Sequence, residues 1–363
     1  MVGIVRGAAA GVSWPGPTGR RRVGEARNET GGEEANAAMS RRRLCSVVAK
    51  SLGEDPVGTA WAVERMLLVE VPLPWPYDYR EARGLPPGLA DVVTAMWDDH
   101  PTAGLLFVAP EPGLRRDGLR RVVDFAYPTP PRARAERSEF LVPTEAVAAF
   151  VAARLAGDAA SAAAIPRVEP QAFAGRDVLV CTHGTVDACC ALFGYPGYRR
   201  LRASAQGTAG GVRVWRSSHF GGHRFAPTVL EWPSGRFWGF LDNGLSDALV
   251  HHAGPTAALR GCYRGWAGHE APELQALERE AFVREGWAWG DWPQRGEIVR
   301  RDPGRGALAR VAAFPPGADP VVYTGWVDGR ETLMTLDDTD GELAAEPVWR
   351  VSDVTRTSGP GPV

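Results

Sequence analysis

Two cysteines and two histidines have the types and spacing of metal ligands. Cys181 and Cys190 are nine residues apart, and His219 and His223 follow about thirty residues later, four apart. Zinc and iron–sulfur clusters both bind thiolates and imidazoles. A spacing of nine is wider than the cysteine pairs of structural zinc knuckles, and it suits a loop that wraps a larger cluster. These four residues are the predicted ligands, with Cys189 as an alternative to Cys190.

The segment His219-Phe-Gly-Gly-His223 has the spacing of a helical histidine pair. Its two glycines oppose a helix, and the glutamate of the helical metalloprotease motif is absent. The two histidines are therefore predicted to lie on a tight loop, whose glycines let the backbone approach a ligand closely.

Four polar residues beside the predicted ligands are expected to support them. Ser217 and Ser218 could donate hydrogen bonds to sulfur, as groups around metal ligands often do. His183 is either such a supporting group or a simple loop residue. Asp187 either orients the cysteine loop or caps the helix that follows it, and capping is the more common use of such a residue.

The elements that must position these residues are predicted from hydrophobic patterns and turn residues. A short apolar strand runs directly into Cys181, and a second strand precedes His219. The full order is strand 177–180, a helix after Cys190, strand 211–216, hairpin 226–241 and helix 245–251. This order suggests a thioredoxin-like α/β sandwich.

The whole chain is predicted to be an α/β protein in four parts, with no evident sequence repeat. Residues 1–40 are expected to be a disordered extension, and Met39 is predicted to be the natural start. An α/β domain over 41–165 comes next, and 159–170 is predicted to form a linker. A thioredoxin-like ferredoxin domain follows over 172–292, and 293–363 is predicted to be a β-rich extension whose last residues are disordered.

Composition limits the classes of partner and compartment. The 363 residues carry a net charge of −2, which does not favour nucleic acid as a partner. No apolar run approaches the roughly 18 residues that a membrane span needs. Five cysteines, three of them clustered, favour a reducing cytoplasm over a disulfide scaffold. The isolated Cys45 and Cys262 are interpreted as small buried hydrophobes.

Two motifs carry a resemblance to a known family. Val180-Cys-Thr-His-Gly-Thr-Val-Asp-Ala-Cys-Cys190 looks like a Cys…His-Gly…Asp…Cys loop, and His219-Phe-Gly-Gly-His-Arg-Phe-Ala226 looks like a His-x-Gly-Gly-His-[Lys/Arg]-Phe-Ala signature. Both are typical of the sucrase/ferredoxin-like family, whose fungal members are of the actin-patches-distal type. Segments 58–60 and 67–75 also resemble its N-terminal part, and the resemblance covers about 41–260.

The resemblance implies a thioredoxin-like ferredoxin with a [2Fe–2S] cluster on Cys181, Cys190, His219 and His223. It prefers Cys190 over Cys189, because the second ligand falls three residues after the aspartate, here Asp187. The word sucrase implies a sugar hydrolase, but no paired carboxylates stand in a recognisable glycosidase context.

The sequence therefore favours one-electron transfer or redox sensing over hydrolysis, with an unidentified redox partner. Histidine in place of thiolate raises the reduction potential of such a cluster, as in Rieske centres. Two alternatives stay open. The same four ligands could close a zinc site in a binding module, or the Cys189-Cys190 pair could act as a thiol oxidoreductase, which ranks last because no Cys-x-x-Cys is present.

Overall fold

The computed structural model describes residues 42–208 and 210–359. The predictions of a disordered extension over 1–40 and of a start at Met39 lie outside the described residues. The predicted disorder over 358–363 lies outside them except at Ser358 and Gly359, and it is wrong for Ser358, which ends the last strand.

One mixed sheet of nine strands forms the centre of the protein. Three of its inner strands, 65–70, 103–108 and 176–181, are buried along nearly their whole length, because helices or loops cover both of their faces. The strands are β1 Arg65–Glu70, β2 Ala103–Val108, β3 Leu119–Ala126, β4 Glu136–Pro143, β5 Arg176–Cys181, β6 Val212–Ser217, β7 Val229–Trp232, β8 Arg236–Trp238 and β9 Tyr263–Trp266. They lie in the order β4-β3-β1-β2-β6-β5-β7-β8-β9. Strands from both predicted α/β segments thus belong to the same sheet.

Helices connect and cover these strands. They are α1 Cys45–Ser51, α2 Leu89–Asp99, α3 Val147–Leu155, α4 Ala159–Ala164, α5 Ala188–Leu192, α6 Gly194–Ser204, α7 Asn243–His251 and α8 Pro272–Glu285. None of the helices in the part of the chain that the structure describes is long and apolar enough to cross a membrane.

The sheet consists of two halves with the same topology. In the first half, β1 is parallel to β2 across the α2 connection, and β3 and β4 follow as antiparallel neighbours on the other side of β1. In the second half, β5 is parallel to β6 across α5 and α6, and β7 and β8 follow on the other side of β5. The halves join through a single antiparallel pair, Val108 with Ser217, so the carboxyl ends of β2 and β6 meet at the junction.

The C-terminal part is β-rich and has its own sheets. Four antiparallel strands, β10 Gln294–Asp302, β11 Gly306–Ala313, β12 Val321–Asp328 and β15 Arg350–Ser358, form one sheet, and β13 Thr332–Leu336 pairs with β14 Leu343–Pro347. Alternate residues of β11 are buried, as expected of a sheet with one face on a core. Helix α8 lies between this face and strand β9.

Most of the predicted elements are present, with two kinds of difference. Helix α8 and the strands around Cys181 and His219 are where the sequence pattern placed them. The prediction of a linker over 159–170 is wrong in its first part, because Asp158 accepts a hydrogen bond from the Ser161 amide and caps α4. Strands β4 and β10 were missed, since their charged residues hide the apolar alternation.

Candidate metal centre

The first candidate ligand owes its position to two parallel strands. Cys181 is the last residue of β5 and pairs with Ser217, the last residue of β6. Parallel strands end at the same edge of a sheet, and the loops that leave this edge commonly form ligand sites. The loop from Cys181 to α5 and the loop from Ser217 to His223 therefore begin side by side.

Asp187 fixes the direction of the helix that carries the second cysteine. Its Oδ1 accepts a hydrogen bond from the Cys189 amide at 2.7 Å, which caps α5. Asp187 thus caps this helix, as one of its two predicted roles requires. Neighbouring helix residues point about 100° apart, so Cys189 and Cys190 face different surroundings.

Three of the four predicted ligands lie together. The Sγ atoms of Cys181 and Cys190 are each 3.5 Å from Nδ1 of His219. One ligand atom from each residue lies within 4.8 Å of the others, and all three residues are buried. This group could bind a metal ion.

The pKa values of the two cysteines in this group are shifted in opposite directions. Burial raises the pKa of Cys181, but hydrogen bonds from Cys190 and His219 outweigh it and bring that pKa well below its ordinary value. The same hydrogen bond to Cys181, together with burial, raises the pKa of Cys190 well above its ordinary value. One thiolate therefore forms easily here, and a thiolate is the form that binds metals.

His223 lies at the other end of the histidine loop, closer to solvent. Its ring centroid is 5.5 Å from that of His219, and 14% of its side chain is exposed. Nδ1 of His223 is 3.4 Å from Sγ of Cys45, and its Nε2 is 3.4 Å from a carboxylate oxygen of Asp338. His223 is thus beside the three-residue group rather than inside it.

The two glycines of the histidine loop are required by its backbone. Gly221 and Gly222 have φ of +82° and +75°, which other residues rarely adopt. A Cβ atom on Gly222 would also lie 2.5 Å from Cζ of Arg264. The prediction of a tight loop in place of a helix is confirmed.

His183 supports the histidine loop through the main chain. It accepts a hydrogen bond at Nδ1 from the His219 amide, with 3.3 Å between the atoms, and its Nε2 lies 2.8 Å from the carbonyl oxygen of Pro76. A carbonyl can only accept, so Nε2 carries the proton. Burial lowers the pKa of His183, which keeps the ring neutral. Pro76 belongs to the first half of the sheet, so His183 links the two halves beside the site.

The hydroxyl groups of Ser217 and Ser218 bond to the main chain. Ser217 donates to the carbonyl oxygen of Ser218 at 2.9 Å, and Oγ of Ser218 accepts from the Phe107 amide at 3.0 Å. The second bond ties the end of β6 to β2. Both serines are buried behind the histidine loop.

Sequence reasoning missed a buried cation next to the site. Arg264, on β9, donates to Oγ1 and the carbonyl oxygen of Thr59 and to the carbonyl oxygen of Gly221. Within residues 42–208 and 210–359, Arg264 forms no ion pair with a carboxylate. Burial lowers its pKa to about 9, so it is charged at neutral pH. No local motif marks this residue.

Cys45 lies next to the site, although its sequence context indicated only an isolated buried residue. Cys45 is buried as predicted, but its Sγ lies 3.5 Å from Sγ of Cys189. Thr339, in the turn between β13 and β14, donates a hydrogen bond from its amide to Asp187 at 2.8 Å, and its Oγ1 lies 3.3 Å from Sγ of Cys189. These contacts join residues up to about 300 positions apart, which no spacing rule could have suggested. Cys262 lies elsewhere, against the carbonyl oxygen of Phe240.

Comparison with known proteins identifies the family. The model of the family described as sucrase/ferredoxin-like matches residues 56–265, more than half of the chain. No curated protein and no solved structure matches the chain. The matched segment contains Cys181, Cys190, His219 and His223, and the family name suggests a redox-related role. The chain belongs to the sucrase/ferredoxin-like family.

Proposed function

We propose that this protein carries a [2Fe–2S] cluster on Cys181, Cys190, His219 and His223 and acts in one-electron transfer or redox sensing. The observation that carries the proposal is the convergence of two buried thiols and His219 within 4.8 Å, with His223 next to them. Two thiolates and two imidazoles are a donor set known for such clusters. When bound, the cluster would supply a site that accepts and releases one electron.

We also propose that the second half of the sheet is a thioredoxin-like ferredoxin unit. Supporting this, β5 and β6 are parallel, β7 and β8 are antiparallel, and α7 follows, in the order β6-β5-β7-β8. The metal ligands then lie at the carboxyl ends of the two parallel strands, where this kind of sheet usually binds its ligands.

The residues of the chain would control the charge and water content around the electron carrier. Cys181 and Cys190 are each only 1% exposed, so little water reaches the sulfur atoms. The guanidinium of Arg264 would stabilise an added electron nearby, because opposite charges attract strongly in a buried site. The exclusion of water by itself would oppose the added negative charge, and the positive charge of Arg264 would offset that effect.

Electrons would pass between the cluster and a redox partner on the side of the site that carries His223. His223 is the more exposed imidazole, and the carboxylate of Asp338 beside its Nε2 is 57% exposed. A redox partner that docks on this side would come closest to the cluster through His223. The partner is not identified. The five free thiols fit a reducing compartment such as the cytoplasm.

A zinc-stabilised binding module is the second candidate. The specific observation that favours it is that Cys181, Cys190 and His219 surround a single point, as ligands of one tetrahedral ion do. The position of His223, which also contacts Cys45, favours the larger cluster.

Metal and sulfide analysis separates these candidates. Protein purified without oxygen should be brown and contain about two iron and two acid-labile sulfide per chain, as a [2Fe–2S] protein must. The variant Cys262→Ser should contain the same amounts, since Cys262 lies elsewhere. A colourless protein with one zinc per chain after iron-replete expression would exclude the cluster.

A further inference from the structure

A second pair of thiols lies beside the proposed cluster ligands and is not used by them. Sγ of Cys45 and Sγ of Cys189 are 3.5 Å apart, and both residues are fully buried. Cys45 belongs to α1, outside the segment that the family model matches. We propose that Cys45 and Cys189 are a modification site, at which a peroxide converts the two thiols to a reversible disulfide.

The hydrogen bonds around the pair hold its two sulfur atoms next to each other. The Cys45 thiol donates to Sγ of Cys189, and Oγ1 of Thr339 lies 3.3 Å from the same sulfur. Either sulfur can attack the oxidant, since the other sulfur then lies within reach to resolve the intermediate.

The neighbouring carboxylate is occupied by other bonds, which argues against a metal at this pair. Oδ1 of Asp187 accepts from the Cys189 amide and from Oγ1 of Thr339 at 2.9 Å, and Oδ2 accepts from the Thr339 amide. A metal on Cys45, Asp187 and Cys189, whose ligand atoms lie within 4.8 Å of one another, would have to compete with these hydrogen bonds. The remaining free chemistry is that of two adjacent sulfur atoms.

The reaction balances with one molecule of peroxide. One of the two sulfur atoms attacks one peroxide oxygen as its thiolate, the O–O bond breaks, and the departing oxygen takes a proton and leaves as water. The other sulfur then attacks the sulfenic sulfur, the S–O bond breaks, and the hydroxide takes the proton of the second thiol and leaves as a second water. Two thiols lose two electrons and two protons, and the peroxide is reduced to two waters.

The disulfide would fasten α1 to the helix that carries Cys190. In the reduced protein α1 is held by the bond from Oγ of Ser46 to the carbonyl oxygen of Ala226. Arg43, two residues before α1, donates a hydrogen bond from its amide to Asp340. A covalent bond between α1 and α5 would fix the position of α1 next to the site. The inference does not depend on the proposed cluster, because the thiol pair exists without it.

Peptide mapping after oxidation tests the site. The reduced protein, as purified, is treated with hydrogen peroxide, its remaining thiols are alkylated, and it is digested without reductant. We expect a linked peptide pair that contains Cys45 and Cys189, and we expect dithiothreitol to separate the two peptides again.

Variants assign the partners of the bond. Cys45→Ala and Cys189→Ala should each abolish the linked pair, whereas Cys262→Ala should keep it. Persistence of the link in Cys189→Ala would show that another cysteine is the partner and would overturn the proposal. Absence of the link from the peroxide-treated wild-type protein, or zinc that is retained until Cys45 is replaced, would overturn it as well.

Discussion

His219 and His223 are four residues apart in sequence but have different surroundings. His219 is 92% buried among the two cysteines, whereas His223 faces Asp338 near the surface. If both bind the metal, His219 contributes mainly to holding it, and His223 connects it to solvent. Imidazole ligands also make the potential depend on pH, because an outer nitrogen can release a proton on oxidation.

Replacement of either histidine by cysteine tests this difference. His219→Cys or His223→Cys should retain a cluster but lower its reduction potential and flatten the pH dependence, because thiolate adds negative charge and removes the titrating nitrogen. Voltammetry from pH 6 to pH 10 measures both. The replacement His251→Cys, in α7, is the matched control. An unchanged potential in both ligand variants would mean that neither histidine is a ligand.

Arg264 should raise the potential of the proposed cluster. Arg264→Met removes a buried positive charge, so we expect a lower potential. The control is Arg260→Met, whose side chain is 45% exposed and pairs with Glu280. Equal potentials for the two variants at pH 7 would contradict this role.

At the scale of elements, a buried carboxylate ties α7 to the central sheet. Oε1 of Glu231, on β7, lies 2.7 Å from Nε2 of His252 and accepts from Arg176 of β5 at 2.6 Å. Burial raises the pKa of Glu231, but the interactions with His252 and Arg176 outweigh it and lower the pKa to about 2. The ionised form is thus favoured in the folded protein.

This lowered pKa makes the free energy of unfolding depend on pH in the acidic range. A depressed pKa stabilises the fold above the unfolded value, and the contribution is lost as pH falls from about 4.5 to about 2. The shift corresponds to about 3 kcal/mol in the free energy of unfolding. Urea unfolding at pH 7 and pH 3 should show a smaller pH effect in Glu231→Gln than in the wild type. The exposed control Glu297→Gln should show the same pH effect as the wild type. If Glu231→Gln also lost as much stability as the wild type between pH 7 and pH 3, this assignment would be refuted.

The elements around the site could be predicted from local patterns, but the residues that reach the site from distant parts of the chain could not. The apolar strand before Cys181 and the two glycines before His223 indicate local structure directly. Cys45, Thr339 and Arg264 approach the site only through the tertiary fold, and Cys45 resembles any isolated buried cysteine in the sequence. The common topology of the two sheet halves was also hidden, because it is a property of strand order and not of sequence repetition.

At the scale of the whole molecule, segments outside the family match complete the site. Helix α1 supplies Cys45, and the turn between β13 and β14 supplies Asp338 and Thr339, whereas the match covers only 56–265. Helix α8 holds the C-terminal sheet against the central sheet, and its Leu277 is fully buried in their common core. Docking of the C-terminal part should therefore be coupled to the structure of the site.

A cavity in this common core tests the coupling. Leu277→Ala should lower the free energy of unfolding by about 2–5 kcal/mol, because it removes buried methyl groups and leaves a cavity that the surrounding side chains fill only in part. It should also speed the loss of iron from the protein. Met334→Ala, whose side chain is half exposed, is the control for both measurements. A large loss of stability with normal iron retention would show that the two parts are independent.

The central claim is that two histidines and two cysteines bind a [2Fe–2S] cluster, and electron paramagnetic resonance tests it most directly. The protein is produced with ¹⁵N-labelled histidine and reduced with dithionite. We predict an S = 1/2 signal with Rieske-like g values, and pulsed spectra in which two coupled histidine nitrogens change with the label. A signal with no histidine nitrogen coupling, or no signal from a protein that contains zinc, would contradict the claim.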